Sequence, residues 1–75
     1  MATLRVTCSP AVHTDGTHHT VQIDPPGGPS QQADADGCST FYNLTTGEHY
    51  VYVCGTEVGK PVVSGFSVFN HTGCP

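Results

Sequence analysis

Residues 38–54 read CSTFYNLTTGEHYVYVC, with two cysteines placed symmetrically about a central TTG. Aromatic and β-branched residues flank the TTG, and a glycine that ends a three-residue loop is typical of a β-hairpin. The register that follows puts Leu44 opposite Glu48 and Cys38 opposite Cys54. Directly opposed residues lie within the span that a disulfide bridges. The stretch therefore predicts a hairpin closed by a Cys38–Cys54 disulfide.

This register divides the hairpin into two faces, because successive side chains of a strand point to opposite sides. Phe41, Val51 and Val53 share one face. The opposite face carries three tyrosines, Tyr42, Tyr50 and Tyr52. We interpret the tyrosines as a candidate ligand-binding surface, to which Thr40 and Glu48 would add hydrogen bonds. The alternative is that the tyrosines are half-buried core residues.

A second interpretation of the same stretch rests on Leu44, Gly47 and Tyr50. These residues resemble the tyrosine corner of immunoglobulin-like and fibronectin type III domains, in which a tyrosine hydroxyl bonds an upstream backbone group. The resemblance covers seven residues and implies a β-sandwich. It lacks the tryptophan expected on a preceding strand, so it bears on fold class alone.

Length and composition predict one small domain over residues 1–75 that needs covalent support. Only 36% of the residues are apolar and tryptophan is absent, so the core alone gives marginal stability. The four cysteines lack a C-x-x-C pair, which favours disulfides over structural zinc. We expect Cys38–Cys54 with Cys8–Cys74. The alternative is the sequential pattern, Cys8–Cys38 with Cys54–Cys74.

Alternating apolar residues predict about five β-strands, and no segment has helical periodicity. The predicted strands lie within residues 2–8, 18–24, 39–43, 48–53 and 61–69, with a long Pro- and Gly-containing loop over 25–37. Gly65 marks an expected bulge or bend. The pattern predicts an all-β fold, a small disulfide-stabilised antiparallel sandwich or barrel.

Charge and sequons indicate the compartment and the partners. Both asparagines, Asn43 and Asn70, lie in N-x-T glycosylation sequons, which with the cysteines favours a secreted protein. The net charge is −4 and the basic residues are Arg5 and Lys60 alone, so neither nucleic acid nor a membrane surface is an expected partner. We expect a monomer that binds an extracellular protein or glycan.

The segment HTDGTHH, residues 13–19, is the most unusual feature of the composition. It places His13, Asp15, His18 and His19 close together, and imidazole and carboxylate groups are ligands for Cu²⁺ or Zn²⁺. Adjacent residues on a strand point to opposite faces, so only one of His18 and His19 can join His13. The alternative is that these are polar residues at a strand edge.

Three classes of function remain, none of them enzymatic, because no nucleophile with a base or acid–base pair is evident. The first is a secreted recognition protein, such as an effector, a toxin-like or defence protein, or an inhibitor, that binds a host or microbial macromolecule. The second is a lectin-like carbohydrate-binding module that uses the tyrosine surface. The third is a copper- or zinc-binding protein that uses the histidine cluster. No organic cofactor is expected.

Overall fold

The computed structural model describes all 75 residues and contains β-strands but no helix. The nine strands are β1 (Ala2–Ser9), β2 (Thr20–Ile23), β3 (Ser30–Gln32), β4 (Cys38–Leu44), β5 (Gly47–Glu48), β6 (Val51–Val53), β7 (Thr56–Gly59), β8 (Val62–Val63) and β9 (Phe66–Thr72). They form three sheets with the orders β4-β1-β9, β3-β2-β6-β7 and β5-β8. The all-β prediction is confirmed, and because no sheet closes on itself the barrel alternative is wrong. No helical segment with the length and apolar character of a membrane span is present.

Strand β1 is the centre of the first sheet, as its strict alternation predicts. Ala2, Leu4, Val6 and Cys8 are each at most 2% exposed, whereas the alternate residues face the outer side of the sheet. The strand is antiparallel to β4 but parallel to β9. A purely antiparallel fold is therefore wrong. The first and last strands can run parallel because the rest of the chain supplies the crossover that a parallel pair needs.

The second sheet places β2 and β6 side by side, and their inward valines and isoleucine are fully buried. Val21, Ile23, Val51 and Val53 are 0% exposed and belong to the same apolar cluster as Leu4 and its neighbours on β1. The two larger sheets thus share one core of 12 buried residues. Burying one such aliphatic side chain contributes about 1.5–3 kcal/mol to the free energy of unfolding. Several fully buried side chains in one cluster can therefore stabilise a core even in a chain with few apolar residues.

The hairpin predicted over residues 38–54 does not form. Strand β4 pairs with β1, and β6 pairs with β2 and β7, so the two halves of the stretch lie in different sheets. Cys38 lies opposite Thr7, and Gly47–Glu48 pairs with Val62–Val63. Phe41 and Val51 then bury their side chains from two different sheets. The chain passes from the first sheet to the second between β4 and β6, the segment that resembles a tyrosine corner. Tyr50 in this segment is 44% exposed.

Other boundaries differ from the predicted ones because short strands divide the predicted segments. The predicted strand over 48–53 is interrupted at His49 and Tyr50, and β3 lies inside the predicted loop. The segment after Cys54, which lies between two of the predicted strands, supplies β7. Gly65, at φ +60°, makes the bend between β8 and β9, as the sequence predicts. A left-handed backbone is accessible to glycine without steric cost.

Candidate metal centre

His13 and His19 lie at the two ends of a tight turn that precedes β2. The His13 N–H donates to the Thr17 carbonyl at 2.8 Å, and the Gly16 N–H donates to the His13 carbonyl at 2.9 Å. An isolated antiparallel bridge between Val12 and His18 closes the turn. The turn brings the imidazoles of His13 and His19 together, with ring centroids 4.4 Å apart in an edge-to-face arrangement.

The other two predicted ligands of this segment point elsewhere. Both the backbone N–H and the hydroxyl of Thr17 donate to Asp15 Oδ1, at 3.0 and 2.7 Å. These bonds favour the charged carboxylate and hold the pKa of Asp15 below its usual value. His18 is exposed, and its Nδ1 lies 2.7 Å from the Ala33 carbonyl, to which it donates. Asp15 and His18 therefore stabilise the turn and its surroundings, and the structure does not bring them to His13.

His19 is completely buried, and one backbone contact fixes its tautomer. Its Nε2 lies 2.8 Å from the Pro10 carbonyl, which can only accept a hydrogen bond, so Nε2 carries the proton. In the neutral form of the ring with this tautomer, Nδ1 presents its lone pair. Cys54 Sγ lies 3.9 Å from His19 Nδ1. Hydrogen bonding of the remote ring nitrogen to a carbonyl is the usual way in which proteins orient a metal-ligating histidine.

Cys54 completes the group from the hairpin loop between β6 and β7. Val53 pairs with Thr56, so Cys54 and Gly55 form a two-residue loop, with φ values of +50° and +81°. Two positive φ values are the requirement of a type I′ turn, which favours Asn-Gly. A cysteine in the left-handed region carries a backbone cost of about 1–2 kcal/mol. A strained non-glycine residue of this kind is a common feature of functional sites.

The three donor atoms, His13 Nε2, His19 Nδ1 and Cys54 Sγ, all lie within 4.8 Å of one another. His13 Nε2 is 3.4 Å from Cys54 Sγ, and His19 Nδ1 is 3.9 Å from the same sulfur. A tetrahedral zinc ion with ordinary Zn–N and Zn–S bonds holds its nitrogen and sulfur ligands about 3.6 Å apart. The observed separations bracket this value, so one ion can contact all three atoms after small side-chain movements.

The sequence predicts His13 and His19 as ligands but assigns Cys54 to a disulfide, and so misses the thiol donor. A Cys-Gly pair between two short β-branched strands was the available signal, because the turn that joins such strands prefers Asn-Gly.

His49 was also missed. Its Nδ1–H donates to Asp24 at 2.5 Å and its Nε2–H donates to the Thr45 carbonyl at 2.6 Å, and these bonds raise the pKa of His49. Both ring nitrogens are occupied, so His49 stabilises the fold and has no lone pair for a metal.

No two cysteines lie at disulfide distance, and the four thiols occupy three different surroundings. Cys38 Sγ accepts a hydrogen bond from Arg5 Nη2 at 3.2 Å on the outer face of the first sheet, so the Cys38–Cys54 pairing is wrong. Cys8 and Cys74 lie side by side. Burial and then the hydrogen bond with Cys74 raise the pKa of the Cys8 thiol to about 12.

The predicted tyrosine surface is also dispersed, because its register depended on the hairpin. Tyr42 is 69% exposed on β4 in the first sheet, whereas Tyr52 is half-buried on β6 in the second. Tyr50 lies in the link between β5 and β6, with Lys60 Nζ 5.1 Å from its ring centroid. The two residues expected to add hydrogen bonds separate likewise, Thr40 on β4 and Glu48 on β5. The expectation of one shared face is therefore wrong.

The two sequon asparagines are exposed in the structure. Asn43 lies near the end of β4, with φ +61°, and Asn70 lies on β9, the edge strand of the first sheet. Their accessibility is compatible with glycosylation, which stays a prediction.

Comparison with protein-family models, with curated proteins and with solved structures finds no match to this chain.

Proposed function

We propose that the protein binds a transition-metal ion, Zn²⁺ or copper, through His13, His19 and Cys54. The observation that carries this proposal is the convergence of two imidazole nitrogens and one thiol sulfur within 4.8 Å. Nitrogen and sulfur donors suit Zn²⁺ and copper, whereas Ca²⁺ and Mg²⁺ require oxygen donors. The site therefore belongs to the metal-binding class of the three that the sequence leaves open.

Two features of the site favour metal binding over three polar side chains that happen to lie together. His19 Nε2 bonds the Pro10 carbonyl and its Nδ1 faces Cys54, which is the orientation that a metal-ligating histidine takes. Cys54 keeps a left-handed backbone where asparagine or glycine would fit at lower cost. A residue that only had to close the hairpin would not need a thiol.

The ion would also meet a structural need. The two larger sheets share one small core, which we interpret as the two layers of a small β-sandwich. A bound ion would tie the turn before β2 to the hairpin loop after β6, and small domains commonly gain stability from such a metal link.

Metal titration of the reduced protein tests the proposal. Isothermal titration with Zn²⁺, in the presence of a phosphine reductant, should give one ion per chain with a dissociation constant below about 10 μM. Co²⁺ should produce a sulfur-to-metal charge-transfer absorption, because one ligand is a thiolate. Binding of Zn²⁺ weaker than this limit would mark the site as adventitious and overturn the proposal.

Matched variants identify the ligands. His13→Ala and Cys54→Ser should each weaken Zn²⁺ binding at least tenfold, and Cys54→Ser should abolish the cobalt charge-transfer absorption. His18→Ala is the control, because it removes an imidazole from the same turn but one that bonds the Ala33 carbonyl instead of facing the site. Equal losses of Zn²⁺ affinity in His18→Ala and His13→Ala would show that the metal is not bound by the group of His13, His19 and Cys54.

A further inference from the structure

We infer that the metal ion keeps one coordination position open to solvent and accepts there a thiolate from outside the chain, so that the site passes its ion to thiol ligands by direct exchange. This inference rests on the proposed function and adds to it the class of ligand that completes and then removes the ion. It follows from the number of donors, their unequal burial and the shape of the surrounding surface.

The chain supplies only three donors to the site. His13, His19 and Cys54 form the one group of three or more potential ligands in the structure. The nearest alternatives along the chain are already bonded, Asp15 to Thr17 and His18 to the Ala33 carbonyl. Zinc and cuprous ions bound by nitrogen and sulfur favour three or four ligands, and zinc almost always takes four. A fourth ligand must therefore come from outside the chain.

Burial decides the side from which this ligand arrives. His19 is 0% exposed and forms the inner wall of the site, whereas Cys54 is exposed on a two-residue hairpin loop and His13 is half-buried between them. An incoming ligand meets the ion on the side of Cys54. Because the thiolate is the outermost ligand, it is also the one that can leave without disturbing the core.

The surface around the site favours exchange over catalysis. Cys54 is exposed on its hairpin loop, so a molecule bound at the open position beside it would remain in contact with water. Metal catalysis depends on a shaped cavity that excludes water and orients the reacting groups. A shallow site with an open position instead gives an acceptor ligand direct access to the ion.

The exchange step involves no oxidation or reduction. The incoming thiol loses its proton to solvent, and its sulfur forms a bond to the ion at the open position. The bond from the ion to Cys54 Sγ then breaks, and the released thiolate takes up a proton. Further thiolates displace the imidazoles of His13 and His19 from the ion in the same way, and the ion leaves bound to the external thiolates. A thiolate is the fitting acceptor because it is a soft ligand of the same class as the one it replaces.

The experiment uses the full chain loaded with one equivalent of Co²⁺ and titrated with 2-mercaptoethanol. Binding of a second thiolate should increase the sulfur-to-cobalt charge-transfer absorption up to about twofold before the ion is removed. The rate of cobalt loss should rise in proportion to thiol concentration, because the thiol enters before Cys54 leaves. His18→Ala should behave like the unaltered chain, since its imidazole lies outside the site.

The outcomes separate the inference from the proposed function. A cobalt-loaded protein whose spectrum and rate of cobalt loss do not respond to thiol would have a closed site, and this inference alone would be overturned. Failure of Co²⁺ and Zn²⁺ to bind would overturn the proposed function, and the inference with it. A charge-transfer absorption that is unchanged in Cys54→Ser before any thiol is added would assign the ion to a different site and would also overturn the inference.

Discussion

Replacing Cys54 by asparagine should make the metal-free protein more stable while removing its response to metal. Cys54 occupies the first position of a loop in which both residues have positive φ. Asparagine enters the left-handed region at lower cost than other residues with a Cβ, and Asn-Gly is a preferred sequence for this turn. The thiol is exposed, so little apolar burial is lost. We expect a gain of about 0.5–1 kcal/mol in the free energy of unfolding.

Urea unfolding of the reduced protein, with and without zinc, measures both effects. In a chelator, a gain of this size should raise the urea midpoint by about 0.5–1 M, for a slope of about 1 kcal/mol per molar urea. Free zinc at one hundred times the dissociation constant should stabilise the unaltered chain by about 2.7 kcal/mol and the Cys54→Asn variant by much less. The order of the two midpoints should therefore reverse when zinc is added.

Cys38→Ser is the control for removal of a thiol, because Cys38 lies on β4 beside Arg5 and outside the site. It should leave zinc stabilisation unchanged and should not raise the midpoint in chelator. A lower midpoint for Cys54→Asn in chelator would show that the cysteine carries no backbone strain. Equal stabilisation of both chains by zinc would refute the assignment of Cys54 as a ligand.

Three further predictions concern the fold. Leu4→Ala should lower the free energy of unfolding by about 2–5 kcal/mol in urea unfolding, because Leu4 is 0% exposed in the shared core. Gly28→Ala should cost about 1–3 kcal/mol or more in the same assay, because its Cβ would overlap the backbone carbonyl of Ile23, which cannot rotate away. The hydrogen bond to Asp24 raises the pKa of His49, so the stability that it contributes should be complete below about pH 6.5 and decline as pH rises through the folded pKa. Urea unfolding between pH 5.5 and 8.5 should show this decline, and Asp24→Asn should remove it.

The central strand β1 was predictable from sequence because the alternation of apolar and polar residues lies within the strand itself. The alternation over residues 2–8 fixes which side chains face inward, and Leu4 and Val6 are both 0% exposed. The pairing of residues 38–54 was not predictable in the same way. Their apolar residues can be buried side by side in one sheet or from two different sheets, and alternation is the same in both cases. Long-range pairing with β1 and β2 decides the outcome.

In the candidate site too, the contacts between residues close in sequence were predictable and the contact with a distant residue was not. His13 and His19 are joined by a turn whose length and alternation the sequence displays, so their proximity could be inferred. Cys54 lies 35 positions beyond His19 and reaches it only because β2 and β6 are neighbours in one sheet. Composition also favours a disulfide over a metal ligand for Cys54, because four cysteines in a short chain are typical of a disulfide framework.

Small size and a modest apolar content require some link beyond the core, and the surroundings of the cysteines indicate which link is available. Cys8 and Cys74 are in contact and can join the first strand to the chain end upon oxidation. Cys38 faces Arg5 on the outer side of the first sheet, so a second disulfide from Cys54 to Cys38 has no support in the fold. The second sheet, which contains no other cysteine, can be linked only through Cys54 and its two histidines. A metal ion at this position would link the second sheet to the turn before β2, as a disulfide was expected to link two strands. Removing the ion with a chelator should therefore increase the mobility of this turn before that of the rest of the chain.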